Sequence, residues 1–188
     1  MSRLSPPPYD QMTPAQQAVH DAIVSGPRGS VRGPFLAWMT NPKMADRAQK
    51  LGEYFRFDTS ITRDLAEIAI LVTGAHYRAE FEWWAHSRMA AEAGVSDDVI
   101  EAIRAGEEPS FDDPRAAAVH RVAYALNHRH RLNDTEYTKA RETLGEEGLV
   151  DVIGLCGYYA LVSLTLNAFE VETPDGSTAF PTPAATKD

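Results

Sequence analysis

The segment Thr62–Tyr77, "TRDLAEIAILVTGAHY", constrains the fold more than any other part of the chain. Thr62 is a capping residue type, and the run from Leu65 to Val72 is apolar nearly all round. Such a helix has no face to give to water, so it must lie at the centre of a domain with other elements packed around it. Yet Glu67 stands in its middle. An ionised carboxylate in an apolar interior is costly unless paired, and an unpaired one tends to take up a proton. Glu67 therefore needs a partner. That partner is either structural, a salt bridge or a helix end, or functional.

The remaining segments supply helices to surround it. Thr13-Pro14 pairs a cap hydroxyl with Pro at the first helical position and predicts a helix to about Ser25, stopped at Gly26-Pro27. "GPRGSVRGP" reads as a loop and "FLAWM" as a single helical turn. Asn41-Pro42 starts a helix to about Phe57, with Met44, Ala48, Leu51 and Phe55 at helical spacing. After the central helix, one carrying "EFEWWAHSRMA" ends at Gly94, and a short one runs from Ser96 to Gly106. "DDPRAAAVHRVAYALNHRH" and the mostly polar "NDTEYTKARETLG" follow, and a strongly apolar helix covers about Glu146 to Phe169. No sustained strand alternation occurs. The expectation is one all-α helical bundle of about 7–9 helices, with two buried helices wrapped by amphipathic ones. Its 188 residues suffice for a single cored domain. Residues 1–12, with "SPPP", form an expected extended arm, 13–172 the domain, and 173–188 an extended or disordered tail with little to pack.

Charge and cysteine usage limit the function classes. A formal net charge of −9 argues against non-specific nucleic-acid binding, though not against a local basic pocket. The longest candidate for a membrane span, Leu149–Phe169, contains Asp151 and several polar residues, so no membrane association is expected. The single cysteine, Cys156, permits no intrachain disulfide and no cysteine-based zinc cluster. With a Pro run where a signal peptide needs an apolar core, this fits a reducing cytoplasm.

Glu82 and His86 lie four residues apart and share one helical face, with Trp83 and Trp84 between them. On an exposed face the pair would be a weak helix contact; beside two tryptophans and near Glu67 it is a candidate acid/base group. Two Glu and one His could also bind iron, zinc or manganese, with His76 or His120 recruited. The spacing is Glu-x-x-x-His, however, rather than the Glu-x-x-His of carboxylate-bridged helical sites. His20 reads as part of an amphipathic helix, and His128 and His130 as cations near a helix C-terminus. Cys156 reads as a small buried apolar residue between Gly154 and Gly157.

The run "TRDLAEIAILVTGAHYRAEFEWWAHSRMAAEAGVSDDVIEAIRAG", with "GPF" and "NP" upstream and "GYYALVSLTLNAF" downstream, resembles the carboxymuconolactone decarboxylase and alkylhydroperoxidase-D superfamily over most of residues 30–172. The peroxidase branch carries Cys-x-x-Cys-x-x-x-His with an upstream Glu. Placed through His86, its cysteine positions fall on Ala79 and Glu82 and its glutamate on Glu67. Thiol peroxidase chemistry needs a thiolate and a resolving thiol, so it is not expected here.

The resemblance to the decarboxylase branch implies cofactor-free, metal-free acid/base chemistry on a small carboxylated lactone or carbonyl compound. Decarboxylation, or a related isomerisation, hydration or hydrolysis, would suit such a site. His86 is then the expected proton donor or carbonyl polariser, Glu67 its orienting partner and Glu82 a second acid/base. Trp38, Trp83 and Tyr124 are candidate pocket walls, and Arg63, Arg78 and Arg32 candidate carboxylate anchors. The alternatives are a non-redox binding or scaffold protein, or a metalloprotein using Glu67, Glu82 and His86. The resemblance also implies self-association as a trimer or hexamer, with the two terminal arms suited to reaching a neighbouring subunit.

Overall fold

The computed structural model of the chain describes residues 2–181. Among them are eight α-helices and no strand: α1 Pro14–Ser25, α2 Phe35–Trp38, α3 Pro42–Phe57, α4 Arg63–His76, α5 Glu80–Glu92, α6 Asp97–Ala105, α7 Pro114–Arg129 and α8 Asp134–Ala168. The start signals act as their chemistry requires. Thr13 and Gln16 form a reciprocal capping box, and the Asn41 and Ser96 side chains accept from the third helical N–H of α3 and α6. Thr62 occupies the N-cap of α4 without a side-chain hydrogen bond.

α4 is the central helix. Every residue from Leu65 to Gly74 is buried, and α5, α6, α7 and α8 all pack against it. The expected polar helix and final apolar helix run on as α8, broken at Gly145, whose φ of +75° and ψ of 170° are open to glycine at little cost. Beyond that break α8 is buried on one face only. Val152, Leu155, Val162 and Leu166 enter the core, whereas Val150, Ile153, Leu161 and Leu164 are exposed. α8 has the length and apolar content of a membrane span, and 61% of its most apolar window is buried inside the protein. Asp151 is an anchor within it. Its carboxylate accepts from the Tyr54 hydroxyl at 2.7 Å and from the Ser60 N–H and hydroxyl at 2.8 and 2.7 Å, tying α8 to the α3–α4 junction.

Both termini pack more closely than their sequences suggest. The Ser2 hydroxyl and Arg3 N–H donate to the Phe169 carbonyl, so the arm returns to its own α8. The tail, expected to find little to pack against, lies across α5 and α6. Glu80 accepts from the Ala179 and Phe180 N–H groups, Arg104 donates to the Ala179 carbonyl, and Phe180 is buried edge-on against Trp83. The backbone there is irregular but held. Met1 and residues 182–188, the ends of the expected arm and tail, lie outside the described residues.

Candidate active site

α4 and α5 form a helical hairpin turned at Tyr77–Ala79, where Arg78 takes a left-handed φ of 52°. The hairpin brings Glu67 of α4 to the Glu82–His86 face of α5. All three side chains are buried, at 4%, 3% and 6% exposure. Glu67 Oε2 lies 2.7 Å from His86 Nδ1, and Glu82 Oε1 lies 3.0 Å from His86 Nε2. The first contact is a well-aligned hydrogen bond; the second is close but off-line, and leaves Glu82 Oε1 without a hydrogen bond.

Burial opposes a charged imidazolium, but Glu82 and Glu67 together outweigh it and hold His86 above the ordinary histidine range. For Glu82 burial dominates. It raises the carboxyl, as does Glu67, against the lowering effect of His86. The arrangement is an imidazole with an acidic group at each nitrogen, able to take or give a proton on the Nε2 side while Glu67 fixes the ring. The two carboxylates sit at opposite ring edges and share no common point, and among the described residues no group of three or more His, Cys, Asp or Glu converges on a metal position.

Glu82 and His86 line a cavity of about 280 Å³. Phe81, Trp84, Ala85, Arg88, Met89 and Glu92 of α5 line it too, and Tyr158, Tyr159 and Val162 enter from α8. Five arginines, Arg28, Arg32, Arg56, Arg63 and Arg88, surround it. In a chain of net charge −9 this is a strong local excess of positive charge. Tyr159 meets His86 edge-on with ring centroids 5.1 Å apart. Burial raises its phenol well above the usual tyrosine range, so it stays a neutral donor.

Of the residues expected from sequence, Arg63 is at the cavity, 4.0 Å from Glu67 and 3.6 Å from Glu92, and Arg32 lines it. Four lie elsewhere. Trp83 is on the opposite side of α5 from the cavity face, because one residue turns the helix by about 100°; Trp84 lines the cavity instead. Trp38 stands behind the wall, donating to the Thr165 hydroxyl at 3.0 Å and packing on Phe35 and Tyr158. Arg78 leaves the hairpin turn for the Pro181 carbonyl and the Phe180 ring. Tyr124 stacks on His128 at 4.0 Å and lines a separate cavity with His76 and His120. Sequence reasoning missed Arg28, Arg56, Tyr158 and Tyr159, although "GYY" and the arginine-rich loop before α2 were visible signals.

Comparison with known proteins agrees with this architecture. The model of the carboxymuconolactone decarboxylase family matches residues 42–125, which hold α3 to α6, the α4–α5 hairpin included, and most of α7. An uncharacterised peroxidase-related protein from Ralstonia eutropha JMP134, solved as an alkylhydroperoxidase AhpD core, superposes with a TM-score of 0.77, covering 93% of each chain at 16% identity. Residues 42–125 thus match the carboxymuconolactone decarboxylase family, and the chain as a whole shares the alkylhydroperoxidase-D-like fold. A peroxidase-related protein from Silicibacter sp. TM1040 has a TM-score of 0.74 at 10% identity, covering 95% of this chain and 96% of that one. The debrominase Bmp8 bound to 2,3,4-tribromopyrrole has a TM-score of 0.72 at 13% identity, covering 93% and 92%. These identities carry the fold alone, and no curated protein matches by sequence.

The positions at which the sequence resemblance places the peroxidase cysteines are informative. Of the two positions, Ala79 is the buried N-cap of α5 and Glu82 a buried carboxylate, so neither carries a thiol. Cys156 lies outside the cavity lining, and burial pushes its thiol up to about 12, which leaves almost no thiolate near neutrality.

Proposed function

We propose that the protein performs general acid/base chemistry, without a metal or organic cofactor, on a small carboxylated lactone or carbonyl compound. Decarboxylation is the reading the superfamily favours, and isomerisation or hydrolysis would use the same groups. The observation that carries it is the buried Glu67–His86–Glu82 group opening into an arginine-ringed cavity. A substrate carboxylate finds positive charge there, apolar walls weaken its solvation, and His86 with Glu82 supplies or removes a proton beside it. A binding or scaffold role would not require a buried carboxylate at each imidazole nitrogen.

A screen of unsaturated lactones and small keto acids tests the reading. Turnover in the wild type should fall by about 10²–10⁴-fold in His86→Ala and in Glu67→Gln, with helix content and elution volume retained. Turnover that survives both substitutions would refute it. Self-association belongs to the same proposal. It is supported by the exposed apolar stripe of α8, for which a second copy of the chain is the proposed cover.

A further inference from the structure

Two residues that line the cavity bury polar atoms without a hydrogen-bond partner among the described residues. Among the described residues no ion pair joins Arg28, Arg32 or Arg56 to a carboxylate, whereas Arg63 and Arg88 have acidic partners. Arg28 goes further: its Nε and Nη2 are both buried without a well-formed hydrogen bond, and the polar group beside Nη2 is the Tyr158 hydroxyl. Those two N–H groups share one edge of the guanidinium and point the same way. This is the edge on which arginine takes both oxygens of a carboxylate. Charged donors buried without acceptors are unfavourable, and a ligand would relieve them.

The surroundings are shaped to the same end. The Arg28 guanidinium lies over the Phe35 ring, 5.1 Å from its centroid. Beside it is the Tyr158 hydroxyl, and both come down on Gly52 of α3, where a methyl group would collide with the hydroxyl and with Arg28 Nη2. Gly52 is therefore a floor that only glycine provides. Burial pushes the Tyr158 phenol up to about 12, so it remains a donor. The same cavity presents one buried acceptor without a donor, Glu82 Oε1.

We infer that Arg28 and Tyr158, floored by Gly52, form the subsite that holds the substrate's carboxylate in the cavity of Glu82 and His86. The inference rests on the reading that the substrate is carboxylated, and it assigns the anchor to residues of the α1–α2 loop and α8. Of the anchors the sequence suggested, Arg63 is ion-paired and Arg78 turned away, and Arg32 lines the cavity without the buried, unpartnered edge that Arg28 has.

Titration calorimetry with benzoate tests it, using benzamide as the neutral isostere and inorganic phosphate as a tetrahedral anion. The wild type should bind benzoate in preference to both. Arg28→Met and Arg28→Lys should each weaken benzoate by about tenfold or more, because Lys keeps the charge but loses the fork. Tyr158→Phe should weaken it about two- to tenfold, and Gly52→Ala should remove it with the helix content retained. The acid/base reading is judged by turnover of the His86 and Glu67 variants and the anchor by benzoate affinity of the Arg28 variants, so their failures are distinct. Wild-type affinity in Arg28→Lys would overturn the inference. So would equal binding of benzamide, tighter binding of phosphate, no benzoate binding to the wild type, or loss in Arg63→Met or Arg88→Met with the Arg28 variants unaffected.

Discussion

His86 is held at both ring nitrogens by buried acids, and the consequence is a pH dependence with a definite sign. Its folded pKa lies above the ordinary 6.5 because Glu82 and Glu67 outweigh burial. The stability contributed by the imidazolium is therefore complete below about 6.5 and is lost as pH rises through the higher folded value. A reaction that uses the imidazolium as proton donor should show a descending limb of kcat above pH 6.5. Glu67→Gln removes one of the two raising charges. It should move the His86 titration, followed by NMR, downward toward 6.5; a titration that stays in place would show that Glu67 does not set the ring's charge. Glu67 was legible from sequence because a carboxylate in "LAEIAILV" cannot be bland, and helical spacing alone put Glu82 beside His86. Arg28 was not, since its role depends on Gly52 and Tyr158, which meet it only in three dimensions.

At the scale of elements, α5 separates two tasks by its faces. Glu82, His86, Ala85 and Met89 look into the cavity, while Trp83 faces the tail. Trp84 and Arg88 stand at the edge between them. The tail reaches them through Asp175, whose Oδ2 accepts from Trp84 Nε1 at 2.7 Å and Arg88 Nη2 at 3.0 Å. Its Oδ1 is fixed by the N–H and hydroxyl of Ser177. Asp175 thus positions two cavity-lining side chains from outside the cavity. Asp175→Asn keeps the size but weakens the charged acceptor. It should raise KM about three- to tenfold with kcat nearly unchanged, and shift the tryptophan emission; an equal fall in kcat would place its effect in the transition state instead. Sequence alone gave the helices well, because caps, Pro and apolar periodicity are local signals. The packing of the extended tail was not legible because "TPDGSTAF" has no periodicity, and its contacts come from Glu80, Arg104 and Trp83, all distant in sequence.

For the whole molecule the question is what covers the second half of α8. Val150, Ile153, Leu161 and Leu164 recur at helical spacing and stay exposed, Val150 at 67% and Leu164 at 54%. An apolar run of three to four turns facing water is the pattern of a contact surface rather than of scattered exposed residues. The inward face of the same segment supplies Tyr158, Tyr159 and Val162 to the cavity, so association would brace the helix that carries half of the proposed anchor. Val150→Glu combined with Leu164→Glu places like charges on this stripe without touching a cavity residue. At micromolar concentration the wild type should elute as a trimer or hexamer and the double variant as a monomer. Because both positions are exposed within one chain, the helix content should be unchanged. Benzoate affinity measured on that monomer then separates two roles for the interface. Unchanged affinity means each chain holds a complete site, and a loss confined to the variant means that packing across α8 sets the position of Tyr158. A wild type that is monomeric under these conditions would show that the stripe serves some purpose other than self-association.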